Sequence, residues 1–194
     1  MRQTKRDELV RKALETFYRN GFHATGMDML AAESGVSKTS IYKHFRTKED
    51  LILAALRLRD ENFRNWLFRR MEELGDTPQE RLVAIFDALE EWFSERDFLG
   101  CMFIKASAEY QDRDHAIHAQ SAEHKRLLLE HIAVLTAAEG ASSPQALAQQ
   151  LLTLKEGAIV MAVLGRGRDA AGDAKDAAEV LIGAQLGQDG GVKS

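Results

Sequence analysis

Apolar residues recur every three to four positions along nearly all of this 194-residue chain, and strand-like alternation is almost absent. That period admits one regular element, the amphipathic helix, which buries one face and wets the other. In the first segment Leu9, Val10, Ala13, Leu14, Phe17 and Tyr18 share a face, and Asn20-Gly21 ends it in a C-cap pattern. Two short segments follow, roughly Gly26 to Ser34 and Lys38 to Phe45, separated by Gly35-Val36-Ser37. A long segment from Thr47 to about Leu74 opens with a capping box of Thr47 and Asp50. At 1.5 Å per residue it is roughly 40 Å long. Gly75-Asp76-Thr77-Pro78 is a break, and Pro78 takes the N1 position of a helix with the strongest stripe of the chain: Leu82, Ile85, Phe86, Leu89, Trp92 and Phe93. Further helices are expected from about Gly100 to Tyr110, Arg113 to Ala138, Pro144 to Leu164 and Ala174 to Leu186, with Gly165-Arg166-Gly167-Arg168 as a loop. The fold class is therefore all-α, about nine helices: a three-helix N-terminal head over 1–47, a larger C-terminal helical bundle over 48–188, and a flexible tail over 189–194.

Composition agrees with this and narrows the chemistry. Only Pro78 and Pro144 interrupt the helix formers. The single cysteine, Cys101, leaves no internal disulfide and fits a reducing compartment. The start of the chain is charged and amphipathic, unlike a secretory leader. The longest strongly apolar run, Ala158 to Leu164, is too short to span a bilayer, so a soluble, cytoplasmic protein with no membrane partner is expected. The net charge of −4 argues at face value against nucleic acid, but it averages two unlike parts. Residues 1–48 hold ten Lys/Arg against five Asp/Glu, a net +5, whereas the remainder holds 16 against 25, a net −9. A basic head on an acidic body is a different electrostatic object from a mildly acidic globule.

The informative stretch is Gly21 to Leu51, two short helices joined by a tight turn in which Gly35 supplies a left-handed backbone. Ala31, Ala32 and Ser34 are small where the helices must cross, and Val36 and Ile41 are apolar anchors. This is a helix-turn-helix pattern. On its second helix Ser37, Lys38, Thr39, Ser40, Tyr42, Lys43 and His44 form a face of short hydrogen-bonders and cations. A face meant only for water normally includes Glu, yet no acid occurs from Ser34 to Thr47. Such a helix suits the major groove of double-stranded DNA, where hydroxyls and amines meet base edges and phosphates. Thr25, read as the N-cap of the first short helix, and Lys48, at the start of the long one, are expected to hold phosphates together with His44.

Gly21-Phe22, Thr25, Gly35-Val36-Ser37, Tyr42-Lys43-His44-Phe45 and Lys48-Glu49-Asp50-Leu51 resemble, in order and spacing, the DNA-binding domain of the tetracycline-repressor family of bacterial transcriptional regulators. Ser34 stands where that family usually has Ala, and Thr39 where many members have Gly, so operator sequences of Gly-bearing relatives do not carry over. The resemblance covers about a quarter of the chain. It implies a nine-helix homodimer joined through its last two helices, an effector pocket in the body, and a repressor that leaves a palindromic operator when a small-molecule effector binds. The effector is expected to tilt the Thr47–Leu74 helix and change the separation of the two recognition helices. Independently, one helix-turn-helix buries too little surface for tight binding, so twofold dimerisation is expected physically. Gly157, Ala158, Ala162 and Gly165, set among Leu151, Leu154, Met161 and Leu164, offer a surface for close helix packing either within or between chains.

For the effector pocket the candidates are Trp66, Cys101, Phe103 and Tyr110, although aromatic stripes at helical spacing are more often plain core. Cys101 at a helix start also admits a redox- or electrophile-sensing repressor, against the blander reading of a small buried hydrophobe. His115 and His118 share a face and could take a metal with Glu109 or Asp114, whereas His124 and His131 lie on an apolar stripe as core histidines do. No tight ligand cluster emerges, so no metal and no cofactor is expected. Two rivals remain from other classes, a Cys/His enzyme and a helical adaptor that binds only protein. No spacing places a base beside the Cys101 thiol, which disfavours the enzyme.

Overall fold

The computed structural model describes residues 4–186; the expected tail, 189–194, lies outside the described residues. Among them are nine α-helices and no strand: α1 (Lys5–Asn20), α2 (Met27–Ser34), α3 (Lys38–His44), α4 (Lys48–Leu74), α5 (Pro78–Phe93), α6 (Met102–Glu109), α7 (Ala116–Ala138), α8 (Pro144–Met161) and α9 (Arg168–Leu186). The starts obey local chemistry. Thr47 and Asp50 exchange side-chain to backbone hydrogen bonds at 3.1 Å in both directions, closing the expected capping box of α4. Thr77 and Glu80 do the same for α5, with Pro78 in its first turn. Gly35 ends α2 at φ +68°, ψ +17°, the left-handed conformation that glycine adopts without steric cost.

Two boundaries differ from expectation. α7 begins at Ala116 rather than near Arg113, because Asp112 draws the chain into a turn: its Oδ1 accepts from the Asp114 amide at 3.0 Å and its carbonyl from the His115 amide at 3.1 Å. The expected loop after α8 is a tight kink: a π-turn over Ala162–Arg166 is broken at the non-helical Gly165, and α9 starts at Arg168, six residues before Ala174. Gly165 (φ +99°) and Gly167 (φ +53°) both leave the helical backbone, so the chain breaks at the expected glycines, in a shorter space than a loop. Gly172 lies within α9 with open space above it.

The chain packs as two compact units. One contains the described residues through Phe63 together with Cys101–His124. Its core gathers Leu9, Ala13 and Phe17 of α1, Leu30 of α2, Ile41 of α3 and Leu51, Ile52 and Leu56 of α4, all fully or almost fully buried. Burying a side chain such as Ile41 contributes about 1.5–3 kcal/mol, which is what holds so short a helix as α3 in place. The other unit contains Arg64–Gly100 and the described residues from Lys125 onward. The whole predicted stripe of α5, from Leu82 to Phe93, is buried there, and α9 packs against both α5 and α8.

That second unit buries a charge cluster. Lys155 is fully buried, its Nζ 2.9 Å from Glu156 Oε1, and Lys125 Nζ approaches Glu156 Oε2 at 2.6 Å. Burial alone would push the Glu156 carboxyl up, but the two ammonium groups outweigh it and pull it down to about 2. The helical stretch Pro144–Arg166 is longer than its strongly apolar run, and by length and composition it reaches what a membrane crossing needs. Lys155 and Glu156 in its middle, together with the packing of α8 on α9, are features of a core helix.

Candidate nucleic-acid interface

α3 is anchored from one side and open on the other. Ile41 is fully buried and Phe45, just past its end, is 4% exposed, so the helix has one fixed rotation about its axis. Helical spacing then turns Lys38, Thr39, Tyr42 and Lys43 outward together, and all four are exposed, Tyr42 at 51%. Ser37 is the N-cap, its hydroxyl accepting from the Ser40 amide at 3.2 Å. Lys38 forms an ion pair with the exposed Asp28 of α2, so the acid missing from the turn and α3 is supplied by the neighbouring helix.

Ser37, Ser40 and His44 border a half-open groove of about 390 Å³ between α1, the turn and α3. Lys5, Glu8, Leu9 and Lys12 of α1 form its other wall. The expected interface omits these α1 cations. The signal for them is the spacing of Lys5, Leu9 and Lys12, at i, i+4 and i+7 along one face. Lys12 is tied into the fold: its Nζ donates to the Ser34 carbonyl at 2.7 Å and pairs with Glu8.

Two expected phosphate holders have different geometry. Gly26, not Thr25, is the N-cap of α2, and it has no side-chain cap. Thr25 is fully buried and its hydroxyl donates to the Gly21 carbonyl at 2.6 Å, which corrects the reading of Thr25 as an N-cap hydroxyl presented to DNA. Sequence could not show this, because the bond depends on the left-handed Gly21 (φ +82°) turning its carbonyl back. Lys48 is half-buried, and its Nζ donates to the Phe22 carbonyl at 3.1 Å.

The candidate effector residues divide between the two units. Cys101, Phe103 and Tyr110 belong to the unit with the head, whereas Trp66 belongs to the other, where its ring lies 6.4 Å from that of Trp92. Cys101 is the N-cap residue of α6 and 8% exposed. The Phe103 ring stacks on His124 at 3.8 Å, and His124 Nδ1 is 2.7 Å from Asp60 Oδ1 in a buried pair. The Tyr110 ring lies between those of His23 and His115, both at 4.7 Å. Its buried hydroxyl makes no hydrogen bond, and burial, reinforced by Glu49 and Glu109, pushes it up to about 12. The histidines read as possible metal ligands are engaged elsewhere. His118 Nδ1 is 2.9 Å from the Tyr110 carbonyl, His115 Nδ1 accepts from the Ile117 amide, and Glu109 is held by the loop after α1. His131 stacks on Phe68 at 3.7 Å, and burial pushes its ring below the usual histidine range.

Comparison with known proteins agrees with this anatomy. Residues 9–55 match the family described as bacterial regulatory proteins, tetR family, and residues 78–178 match the tetracyclin repressor-like C-terminal domain. The chain is 36% identical over 103 residues to the HTH-type transcriptional activator FasR of Mycolicibacterium smegmatis, which covers 53% of this chain but only 46% of FasR. It is 24% identical over 162 residues to the HTH-type transcriptional regulator YjdC of Escherichia coli, covering 84% and 85% of the two chains. Among solved structures, it is similar to a TetR-family transcriptional regulator from Streptomyces coelicolor, with a TM-score of 0.87, 26% identity and coverage of 93% and 95%.

Proposed function

The chain belongs to the tetR family of bacterial regulatory proteins, which are DNA-binding transcriptional regulators rather than enzymes, and from that premise we propose a homodimeric repressor released from a palindromic operator by a small-molecule effector. The observation that carries the DNA reading is the outward face of α3, where Lys38, Thr39, Tyr42 and Lys43 stand together over a buried Ile41. Tyr42, Lys43 and Thr39 reach base edges, Ser37, Ser40 and Lys38 flank them, and His44 and Lys48 meet phosphates. At Thr25 the phosphate contact falls to backbone amides at the start of α2, since its hydroxyl is engaged. Functionally the head comprises 1–47 and the body 48–188, in the cytoplasm.

The proposed dimer face lies on α8, the π-turn and α9. Val160, Met161, Val163, Leu164 and Val180 are exposed apolar side chains there, and Gly157, Gly172 and Gly183 have open space above them. Ala158 and Ala162, two of the small residues considered for helix packing, are buried within the chain and support it internally. Trp66, Cys101, Phe103 and Tyr110 remain the proposed effector contacts. A second reading, a cysteine-based sensor, draws support from the position of Cys101 as N-cap residue of α6, with Lys105 one turn on.

In vitro selection from random duplex DNA tests the function. The expected product is a palindrome whose half-sites lie one helical turn, about 34–36 Å, or a multiple of it apart. A reporter placed behind that sequence separates repression from activation, the role FasR is named for. Failure to enrich any sequence refutes the proposal.

A further inference from the structure

α6 touches two different things within one compact unit. Near its start, Phe103 lies flat on His124, which pairs with Asp60 of α4. At its end, about 9 Å farther along the helix, Glu109 grips the loop between α1 and α2. Glu109 Oε1 accepts the Phe22 amide at 2.9 Å, and Oε2 accepts the His23 amide at 2.5 Å and stands 3.2 Å from His23 Nδ1. Lys105, one turn earlier, donates its Nζ to the Tyr18 carbonyl at 3.2 Å. The chain passes close beneath the carboxylate because Gly21 is there: a Cβ at that position would stand 3.1 Å from Glu109 Oε1.

The Phe22–His23 peptide unit is held from both sides. Its N–H, on His23, donates to Glu109 of α6, and its carbonyl, on Phe22, accepts from Lys48 at the start of α4. Lys48 is also a proposed phosphate contact. One peptide unit therefore joins the end of α6 to a cation of the DNA-reading head, on the loop that fixes where α2 begins.

We propose that Glu109 is a positioning residue for DNA recognition, and that α6 carries to the α1–α2 loop any displacement of Phe103 against the His124–Asp60 pair. The proposal rests on the DNA-binding reading. It adds to the expected tilting of α4 a second route, converging on the same peptide. Two charge-assisted hydrogen bonds to loop amides orient the loop, while the contacts to DNA are made elsewhere.

The test uses the full chain with its in vitro selected operator and a scrambled duplex, comparing wild type with Glu109→Gln, Glu109→Asp, Phe103→Leu and the double variant Glu109→Gln/Phe103→Leu. Operator affinity in Glu109→Gln is expected to fall about tenfold or more. Its affinity for scrambled DNA is expected to hold, because removing an acid weakens no phosphate contact, and the chain is expected to stay folded at the assay temperature with only a small fall in melting temperature, because the Gln carbonyl still accepts one loop amide. Glu109→Asp, which keeps the charge on a shorter arm, recovers part of the loss. Phe103→Leu also weakens operator binding, and in the double variant it adds nothing to Glu109→Gln, although side chains this far apart normally act additively. Wild-type operator affinity in Glu109→Gln overturns the proposal. So does a loss that scrambled DNA and the melting temperature share in proportion. Additivity of the two substitutions overturns the relay. A wild-type chain that does not distinguish selected from scrambled DNA overturns the DNA-binding reading and this proposal with it.

Discussion

Leu164→Ala is the most direct probe of the proposed dimer face. Leu164 is 73% exposed in the π-turn after α8, and Val180 on α9 is 71% exposed, so each presents most of its surface to whatever covers them. Fully burying a Leu side chain contributes about 1.5–3 kcal/mol, so covering roughly three-quarters of one contributes about 1–2 kcal/mol. A twofold interface contains every residue twice. Truncation to Ala removes most of that twice over, about 2–4 kcal/mol, which raises the dimer dissociation constant roughly 30- to 1,000-fold. The monomer has little to lose, because the side chain is solvated there. Sedimentation equilibrium across a concentration series measures the dissociation constant, and a thermal melt of the monomer confirms the fold. Val134→Ala is the control: Val134 is 66% exposed but lies on α7. Equal weakening by Val134→Ala, or an unchanged dissociation constant in Leu164→Ala, refutes an interface formed by α8 and α9.

Tyr42→Ala and Lys43→Ala are expected to abolish operator-specific binding while leaving the circular-dichroism melt unchanged, since both side chains are exposed; normal affinity in either removes α3 from the interface. Wild-type affinity is expected to fall steeply and log-linearly with salt, because phosphates release counterions on binding, and a flat isotherm contradicts that. Glu156 ties stability to acid. Its carboxyl is lowered in the fold to about 2 from an ordinary 4.5, so the stabilisation is complete above pH 4.5 and is lost as pH falls toward 2. Glu156→Gln is expected to flatten the melting temperature across that window, and an unchanged slope refutes the assignment. For Cys101, 8% exposed, a thiol reagent is expected to react far more slowly in the native chain than in urea. Native reaction at the unfolded rate shows that the thiol is accessible. If Cys101 is the sensor, Cys101→Ser binds the operator but ignores electrophiles, and a variant that still responds to them retires the sensing reading.

Much was legible in the sequence because it follows from neighbours along the chain. The 3.6-residue period marked every helix, the capping residue Thr47 and the first-turn Pro78 marked two starts, and Gly35 marked the tight turn, each a bond or dihedral spanning four residues or fewer. The acid-free stretch from Ser34 to Thr47 and the +5 head pointed to DNA for the same reason, since a seven-residue helix anchored by Ile41 turns its other face outward whatever packs behind it. Tertiary structure decided what depends on residues far apart in sequence. Thr25 turns inward because Gly21 bends the chain beneath it. Glu109 reaches Phe22 across 87 positions. His124 closes on Asp60 across 64, and Lys175 on Asp87 across 88. Each of these polar groups has several possible partners of the right chemistry in the sequence. Which one it meets is set by how the buried apolar faces bring the helices together, and only the folded chain contains that information.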